Sequence, residues 1–515
     1  MEGNHSASQT YILAHDLGTT GNKASLIGAD GRPLASVFIS YETQYPHPGW
    51  AEQNAADWER AVITGTRQLL AVSALPPRQI AAVSFSGHMQ GALVVDAAGI
   101  ALRPAIIWAD QRATRQADEM TRAYGADAIY RLTGHRVSAA YTAAKVMWIR
   151  DNQPDIYQRI AHVLQPKDYA ALLLCGTFAT DYSDASGTQL FDLLKRRWSA
   201  ELLKAFNVRA DIFPPAHPST AIVGHVTADA ALATGLVAGT PVVIGGGDGA
   251  CATVGAATIR AGDAYTYIGS SAWMALSTSK PIFDPEQRIV NFAALDPEMY
   301  FSLGNMQAAG GAFDWIERLL RDTGVPDVQH TMLTALAAGT SPGAGGVLCL
   351  PYLIGERSPH WNPRARAAFV GLAMSHGRAE MVRAVLEGVS FNLRWILDVL
   401  RQLTATDDGG GIRSMRVIGG GMRSALWRQI LADVYRMPLL RPHLDSAATS
   451  LGAAIAGGIG VGLFPDFSVV EKLIPIEAAE QPDPAVCDVY DKLYPLFQLT
   501  YNALSPVFDG LSALQ

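Results

Sequence analysis

Two stretches of this 515-residue chain follow the same pattern. YILAHDLGTTGNKASLIG begins at residue 11 and AYTYIGSSAWMALSTS begins at residue 264. Each places a turn of glycine and hydroxyl residues between two runs with strand character. Such turns are common in β-hairpins, so either stretch alone predicts only an ordinary hairpin. As a pair they predict two related lobes whose turns face each other and hold one ligand from both sides.

Short runs with strand character alternate with longer amphipathic segments, which is typical of an α/β fold. We predict strands at 11–14, 23–28, 34–40, 80–86, 92–96, 242–246, 264–268, 273–277, 300–303, 347–351 and 414–418. We predict helices at 55–73, 111–124, 142–152, 313–322, 379–404 and 424–435. The join between the lobes falls in or just after PVVIGGGDGACATVGAATIRAG, and we divide the chain there into domains 1–252 and 253–515.

Composition narrows the class of protein. The chain is 49% hydrophobic and 17% charged with a net charge of −7, which predicts a soluble globular protein that binds neither nucleic acid nor an anionic membrane. The four cysteines are far apart and have no metal-binding spacing, and the first residues show no signal-peptide pattern, so we expect a cytoplasmic protein. The weakly polar run at 451–464 is too short for a membrane span.

The turn of the first hairpin, DLGTTGNK, is suited to hold an anion. Gly18 permits close approach of the backbone, the turn amides form a concavity, and Thr19, Thr20 and Lys23 add donors and a positive charge. Asp16, directly before the turn, is suited to hold a magnesium ion through water while the turn holds phosphates. The alternative is an aspartate that closes an Asx turn.

A second candidate segment, PVVIGGGDGACATVGA, leads from an apolar strand through three glycines to Asp248. A carboxylate at the end of a strand, without side chains crowding it on the N-terminal side, suits a general base that takes a proton from a substrate hydroxyl. The alternative is that Asp248 caps a helix beginning at Gly249.

A third segment, MRVIGGGMRSALWRQILADV, combines a strand, three glycines and an amphipathic helix. This pattern predicts a flat floor for a ring beside a helix N-terminus, with Ser424 as a hydrogen-bonding group. The alternative is a tight turn that needs glycine only for its backbone. The chain has neither a GxGxxG dinucleotide fingerprint nor a P-loop, so ATP would be bound by another fold.

The segments VSFSGHMQGALVVD and LRPAIIWADQRATRQ predict a polar pocket with an aromatic wall, suited to a polyol. Its candidate residues are His88, Met89, Gln90, Trp108, Asp110 and Arg112. The alternatives are a structural histidine and a core tryptophan, which are the commoner roles of these residues.

Together these segments, in this order, resemble the FGGY carbohydrate kinases, most closely their xylulokinase-like branch. The resemblance extends from residue 11 to about residue 499. TAAKVMWIRDN at 142–152 matches the first family signature apart from Ala140 at its opening position, and AAFVGLAMSHGRAEMVRAVLEG at 367–388 matches the second. PKDYAALLLCGTFATDYSDASGT, GGGDGA, YLIGERSPHWNP and GGGMRS are also similar to family stretches.

The resemblance implies two actin-like, ribonuclease H-like ATPase lobes that close on ATP and sugar in an interlobe cleft. The N-terminal lobe would bind sugar and phosphate, and the C-terminal lobe the nucleotide. It implies Asp248 as general base and Asp16 as the magnesium-associated acid. The implied nucleotide contacts are Gly18, Thr19, Thr20, Lys23, Gly269, Ser270, Gly310, Gly420 and Ser424. The implied sugar contacts are Met89, Gln90, Asp248 and Gly249, beside the pocket residues Trp108 and Asp110.

The expected activity is ATP- and Mg²⁺-dependent phosphorylation of a terminal hydroxyl of a small sugar, with a ketopentose such as D-xylulose as the favoured acceptor. Typical xylulokinases have Gln-Met-His-Gly where this chain has His88 to Gly91, and Asn where it has Gly249. Other pentuloses, a sugar alcohol and gluconate therefore stay open as acceptors. The resemblance also implies a homodimer, because members of the family commonly form one. Two other classes also stay open, a regulator that binds sugar or nucleotide without phosphoryl transfer and a filament-forming or chaperone-like ATPase.

Overall fold

The computed structural model describes residues 10–321, 330–405, 411–443 and 448–514. The strands of the N-terminal half are β1 (Tyr11–Leu17), β2 (Gly21–Gly28), β3 (Pro33–Ser40), β4 (Glu52–Gln53), β5 (Ile80–Gly87), β6 (Leu93–Val95), β7 (Ala105–Ile106), β8 (His162–Leu164), β9 (Thr180–Asp181), β10 (Phe191–Asp192), β11 (Arg197–Trp198), β12 (Ala216–His217), β13 (Ile222–His225), β14 (Pro241–Val243) and β15 (Gly246–Gly247). Its helices are α1 (Ala55–Ser73), α2 (Thr114–Tyr124), α3 (Ala126–Thr133), α4 (Thr142–Asn152), α5 (Pro154–Arg159), α6 (Pro166–Cys175), α7 (Tyr182–Ser186), α8 (Ala200–Ala205), α9 (Ala228–Thr234) and α10 (Asp248–Gly255).

The C-terminal half continues the alternation of strands and helices. Its strands are β16 (Ala264–Ile268), β17 (Ala272–Thr278), β18 (Val290–Ala293), β19 (Tyr300–Met306), β20 (Leu348–Leu350), β21 (Ala368–Val370), β22 (Met415–Ile418), β23 (Leu439–Pro442) and β24 (Ile476–Glu480). Its helices are α11 (Gly310–Arg321), α12 (His330–Ala338), α13 (Arg378–Leu403), α14 (Ala425–Tyr435), α15 (Ala448–Gly460), α16 (Val470–Leu473) and α17 (Pro484–Ser512). Short 3-10 helices lie at Pro77–Gln79, Ala344–Gly346, Gly420–Arg423 and Phe467–Val469.

The two halves contain sheets of the same plan. The first has the order β13-β14-β5-β1-β2-β3, and the second has the order β24-β23-β22-β16-β17-β19-β18. In both, the opening hairpin is antiparallel (β1 with β2, β16 with β17), and its first strand pairs in parallel with the next inner strand (β5 or β22). The outermost pair, β13 with β14 or β23 with β24, is antiparallel in both sheets. The prediction of two related α/β lobes is confirmed, with β18 as an extra strand on the second.

The predicted elements agree closely with the observed ones where the periodicity is long. The helices predicted at 55–73 and 142–152 are α1 and α4 with unchanged bounds. Of the helix predicted at 313–322, residue 322 lies outside the described residues. The strands predicted at 92–96 and 347–351 are β6 and β20, which pair with β8 and β21 away from the two large sheets.

The lobes share a core through two helices, α10 and α15. A Cβ built on Gly255 of α10 would lie 1.9 Å from the carbonyl oxygen of Ala448, and one on Gly452 of α15 would lie 2.1 Å from that of Cys251. The helices therefore touch backbone to backbone, which only glycine permits at these two positions. Their small residues pack in one cluster with Ile12 of β1 and Tyr265 of β16, so this core belongs to both sheets.

The division that we predicted between residues 252 and 253 lies inside α10, and it stays a prediction. Within the described ranges, no helix has the length and apolar character needed to cross a membrane.

Candidate active site

The ends of three neighbouring strands form the centre of the site. β1 runs parallel to β5, so that Asp16 lies beside Ser86, and β15 runs parallel to β5, so that Gly247 lies beside Gly87. The carboxyl ends of parallel strands meet at one edge of a sheet. Asp16, the segment after Gly87 and Asp248 therefore reach the same crevice, although the sequence separates them widely.

Asp248 is the first residue of α10, and Gly247 occupies the N-cap position. The alternative, in which Asp248 caps a helix starting at Gly249, therefore places the start of the helix one residue too late. Oδ1 of Asp248 nevertheless accepts a hydrogen bond of 2.7 Å from the Gly249 N–H. Burial, and secondly the charge of Asp16, raise the pKa of Asp248 to about 7. A carboxyl group with a pKa near neutrality is suited to general-base chemistry.

Asp16 receives contacts from both halves of the chain. Oδ2 of Asp16 accepts a hydrogen bond from the hydroxyl of Thr449 in α15. Burial raises the pKa of Asp16, and the hydrogen bond from Thr449 and the charge of Lys23 act in the opposite direction. Lys23 lies directly across the β1–β2 hairpin from Asp16. The Asx-turn alternative does not describe this carboxylate, because its described partners come from other elements.

The first turn, between β1 and β2, directs its carbonyl groups into the protein. Tyr41 donates from its hydroxyl to the Gly18 oxygen (2.6 Å) and from its N–H to the Thr20 oxygen (3.1 Å). The Thr19 oxygen accepts from Nε2 of Gln53 at 2.7 Å. The N–H groups of Thr19 and Thr20 donate to no group within the described ranges. Open amides beside Lys23 are what an anion-binding turn requires, and the binding role of this turn stays a prediction.

The second turn, between β16 and β17, lies against the start of α11. The Gly269 oxygen accepts from the Gly310 N–H, and the Ser270 oxygen accepts from the Gly311 N–H, both at 2.9 Å. A Cβ on Gly310 would lie 2.4 Å from the Gly269 oxygen, so this approach requires glycine. Three residues predicted to bind nucleotide thus form one surface.

The GGGMRS segment adjoins that surface through the end of β16. A Cβ on Gly419 would lie 2.5 Å from the Ile268 oxygen, whereas one on the exposed Gly420 would meet nothing within 4 Å. Gly420 therefore leaves open space beside the second turn. Ser424 is the N-cap of α14, where its hydroxyl accepts from the Trp427 N–H at 3.2 Å. This capping role accounts for Ser424 without a ligand.

The segment after β5 lines the crevice next to Asp248. A Cβ on Gly247 would lie 2.5 Å from Sδ of Met89, so Met89 packs directly under the start of α10. Gln90 has a φ of 67°, which is uncommon for a residue other than glycine and is a conformation that occurs often at functional sites. A Cβ on Gly249 would make an ordinary contact of 3.5 Å with the Phe301 ring, so packing leaves room for a side chain there.

His88 has the structural role that we gave as the alternative. It is buried, its Nε2 lies 3.2 Å from Oε1 of Gln53, and burial lowers its pKa to about 3. Its ring is therefore neutral at physiological pH.

Trp108 and Asp110 lie at different depths. Nε1 of Trp108 donates to Oγ1 of Thr19 at 3.0 Å, which joins the pocket wall to the first turn. Asp110 is fully buried, and its carboxylate accepts from the Ala51 N–H (2.6 Å) and from Arg112 (2.7 Å). The structure therefore places Asp110 behind the pocket wall, where it supports the wall, and its role as a sugar contact stays a prediction.

Comparison with known proteins decides the family. The N-terminal domain of the FGGY family of carbohydrate kinases matches residues 11–255, and the C-terminal domain of that family matches residues 264–461. The chain belongs to the FGGY family of carbohydrate kinases. It is an ATP-dependent sugar kinase with the actin-like fold that the resemblance implied.

Three relatives of this FGGY kinase illustrate the range of similarity. It is 33% identical to the xylulose kinase of Escherichia coli K12 over 96% of this chain and 99% of that protein. It is 30% identical to the gluconokinase of Bacillus subtilis 168 over 98% of this chain and 99% of that protein. The ligand-bound xylulose kinase structure from Lactobacillus acidophilus superposes with a TM-score of 0.90 at 26% identity, over 98% of this chain and all of that one.

The structure also adds two residues of this FGGY kinase that the sequence did not single out. Tyr267 stacks on Trp273 with ring centroids 3.9 Å apart, and its hydroxyl lies 2.7 Å from where a Cβ on Gly269 would be. Burial raises the pKa of Tyr267, and so do the charges of Asp248 and Asp16. Arg357 lies 5.8 Å from the Trp108 ring centroid.

Both residues come from the C-terminal half, and Tyr267 lies beside the N-terminal acids whereas Arg357 lies against the pocket wall at Trp108. Each falls in a stretch that the sequence had marked, the second hairpin and YLIGERSPHWNP. No local pattern distinguishes them there, because only the packing of the two lobes brings them to the site.

Proposed function

We propose that this FGGY kinase transfers the γ-phosphoryl group of ATP to a terminal hydroxyl of a ketopentose such as D-xylulose. The observation that carries the proposal is the position of Asp248. Its partly buried carboxylate, with a pKa of about 7, shares a crevice with Asp16 of β1 and Tyr267 of β16, the strands that lead into the two turns. The similarity to xylulose kinases at about 30% identity over nearly the whole chain supports the acceptor.

Asp248 acts as the general base in this mechanism. It takes the proton of the sugar hydroxyl as that oxygen attacks the γ-phosphorus. The new bond joins the sugar oxygen to phosphorus, and the bond from phosphorus to the bridging oxygen breaks, so the bonding electrons stay on ADP. Phosphoryl transfer depends mainly on positioning and electrostatics. Met89, Gln90 and Gly249 would position the sugar beside this base.

The nucleotide would be held between the two turns. We assign Gly18, Thr19, Thr20 and Lys23 to its phosphates from one side and Gly269 and Ser270 from the other. Gly310, Gly420 and Ser424 would face the nucleoside. The open amides of Thr19 and Thr20 support this assignment. The hydroxyl of Ser424 would then serve the helix and the nucleoside together.

The residues present fit a magnesium ion that arrives with ATP. Asp16 and Asp248 offer carboxylate oxygens in one crevice, where the charge of Asp16 makes ionisation of Asp248 harder. In the described parts of the chain, no group of three or more acidic, histidine or cysteine residues could hold a metal by itself. Mg²⁺ favours one or two carboxylates plus phosphate oxygens, and when bound it neutralises charge on the phosphates. We assign Asp16 to this ion.

Gluconate is the second candidate acceptor. The similarity to a gluconokinase at 30% identity over nearly the full length favours it. A cation near the pocket also suits a carboxylate, since Arg357 lies over the Trp108 ring. We further propose a cytoplasmic homodimer that binds no nucleic acid.

An acceptor panel tests the proposed function. We expect ADP release with MgATP to be fastest with D-xylulose when ketopentoses, sugar alcohols and aldonates are compared at equal concentration. A preference for gluconate would select the second candidate. If none of these acceptors leads to ADP release, although the protein still binds ATP, the result would favour the non-catalytic regulator instead.

The pH profile tests the role of Asp248. The native pKa of about 7 lies above the usual value for aspartate, and the base must be ionised to accept a proton. We therefore expect kcat/KM for the sugar to rise about tenfold per pH unit below neutrality and to level off above it. Initial rates of ADP release at a series of pH values from about 5 to about 9 would measure this pH dependence. A flat profile down to about pH 5 would contradict a base with a raised pKa.

A further inference from the structure

A buried ionic cluster lies behind the catalytic edge and takes no part in the mechanism above. Nζ of Lys167 lies 2.7 Å from Asp168, 3.0 Å from Asp181 and 3.2 Å from Asp184. All four side chains are at most 1% exposed. Burying so many charged groups is costly, and such a cluster is weak evidence for a stabilising role. The alternative is that the cluster fixes the position of a neighbouring segment of the chain.

Hydrogen bonds lead from this cluster to the start of α10. Oδ2 of Asp181 accepts from the hydroxyls of Ser183 (2.6 Å) and Ser219 (2.8 Å). The same Ser183 oxygen accepts from the Gly247 N–H at 2.9 Å. Gly247 is the N-cap residue immediately before Asp248. Ser183 therefore connects Asp181 directly to the backbone that carries the base.

Close packing leaves this backbone little freedom. A Cβ on Gly246 would lie 2.2 Å from the Leu295 side chain and 2.9 Å from the Ser183 hydroxyl oxygen. A Cβ on Gly247 would overlap Met89 on the other side. The Ser183 hydroxyl is thus a side-chain contact that, together with the backbone pairing of β15 with β5, sets where the first turn of α10 begins.

We propose that Ser183, held by Asp181 and Lys167, is a positioning residue for Asp248. The inference rests on the proposed function. A general base must lie within about 2.6–3.2 Å of the hydroxyl from which it takes the proton. Loss of the bond to Gly247 would let the first turn of α10 shift and move the carboxylate away from the acceptor. Apart from Gly249, the proposed contacts to sugar and to ATP come from other segments, so the loss should fall mainly on turnover.

Ser186 offers a matched control on the same short helix. It is as fully buried as Ser183. Its hydroxyl donates to the backbone carbonyl oxygen of Ser183 at 2.7 Å and accepts from the Ala293 N–H at 3.2 Å. Ser186→Ala therefore removes the same chemical group, also hydrogen bonded twice, without touching Gly247. Ser183→Cys adds a near-isosteric variant, because a thiol is a weaker acceptor than a hydroxyl.

The experiment compares kcat and KM for D-xylulose and ATP in the full-length protein, with thermal unfolding of each variant. We expect Ser183→Ala to lower kcat about 10- to 100-fold with both KM values changed less than about threefold. We expect Ser183→Cys to be intermediate and Ser186→Ala to keep kcat within about threefold of wild type at a similar loss of thermal stability.

Two results would overturn the inference. One is an equal loss of kcat in Ser183→Ala and Ser186→Ala, and the other is a loss carried by KM alone. If Ser183→Ala does not fold, Ser183→Cys decides, since wild-type turnover there would exclude the positioning role. An inactive wild-type protein would instead count against the proposed function, so the two failures are distinguishable.

Discussion

Replacing Asp248 with asparagine is expected to lower kcat by at least about a hundredfold while ATP still binds. Asparagine keeps the size of the side chain but cannot accept the proton of the sugar hydroxyl. The predicted phosphate contacts come from the two turns and not from Asp248, so calorimetric titration with ATP should give a dissociation constant within about threefold of wild type. Turnover would be measured as sugar-dependent ADP release.

Asp229→Asn provides the matched control for Asp248→Asn. Asp229 is exposed in the first turn of α9, and we assign it no contact with the sugar or the nucleotide. The same change of charge there should leave kcat unaltered. Wild-type turnover in Asp248→Asn would exclude Asp248 as the base, and loss of ATP binding would show that the substitution acts through the nucleotide site.

Asp248→Asn, which lowers turnover, should raise stability relative to the wild-type protein at high pH. The native pKa of Asp248 lies above that of the unfolded chain, so the native state holds this proton more tightly. The wild-type protein therefore loses stability as pH rises from about 4 to about 7, where only the unfolded chain readily ionises this group. Asparagine has no proton to lose. The melting temperature of Asp248→Asn relative to wild type should thus be higher at pH 8 than at pH 5.

The elements that carry the site could be predicted because their signals are local. The β1–β2 and β16–β17 hairpins, the glycines before Asp248 and the regular periodicity of α1 and α4 each lie within a short window of sequence. The rules for parallel strands then place Asp16 and Asp248 at one edge. Thr449 could not be found in this way, since 433 positions separate it from the carboxylate to which it donates.

Side-chain depth was the other feature beyond the reach of the sequence. Asp110 and Trp108 lie two positions apart in one loop. Asp110 is buried and accepts a hydrogen bond from Arg112, whereas Trp108 donates to Thr19 in the first turn. Which of two neighbouring polar residues faces a pocket depends on the local path of the backbone, for which composition gives no signal. His88 illustrates the same limit, because its burial and not its type excludes it from acid-base chemistry.

The second large effect is expected from Gly452→Ala in α15. A Cβ at this position would lie 2.1 Å from the carbonyl oxygen of Cys251 in α10, and also within 3 Å of its carbonyl carbon and Cα. These are backbone atoms, so no rotation of a side chain relieves the overlap. The two helices must separate, and overpacking of this kind costs about 1–3 kcal/mol or more of the free energy of unfolding.

Activity should fall together with stability, because both helices belong to the site. α10 begins with Asp248, and α15 carries Thr449, whose hydroxyl binds Asp16. Separating the helices changes the distance between the two carboxylates. A displacement of about 1 Å can cost about a hundredfold in rate. Urea unfolding and the turnover of the folded fraction would measure the two effects separately.

Gly510→Ala is the control that isolates backbone contact from the intrinsic effect of glycine. Gly510 is exposed in α17, and a Cβ there would meet nothing within 4 Å. Alanine is favoured over glycine in a helix by about 0.5–1 kcal/mol, so this variant should be as stable as wild type or slightly more stable. Equal stability of Gly452→Ala and Gly510→Ala would mean that α10 and α15 can separate freely. In that case the close crossing would not be what holds Asp16 and Asp248 in one crevice.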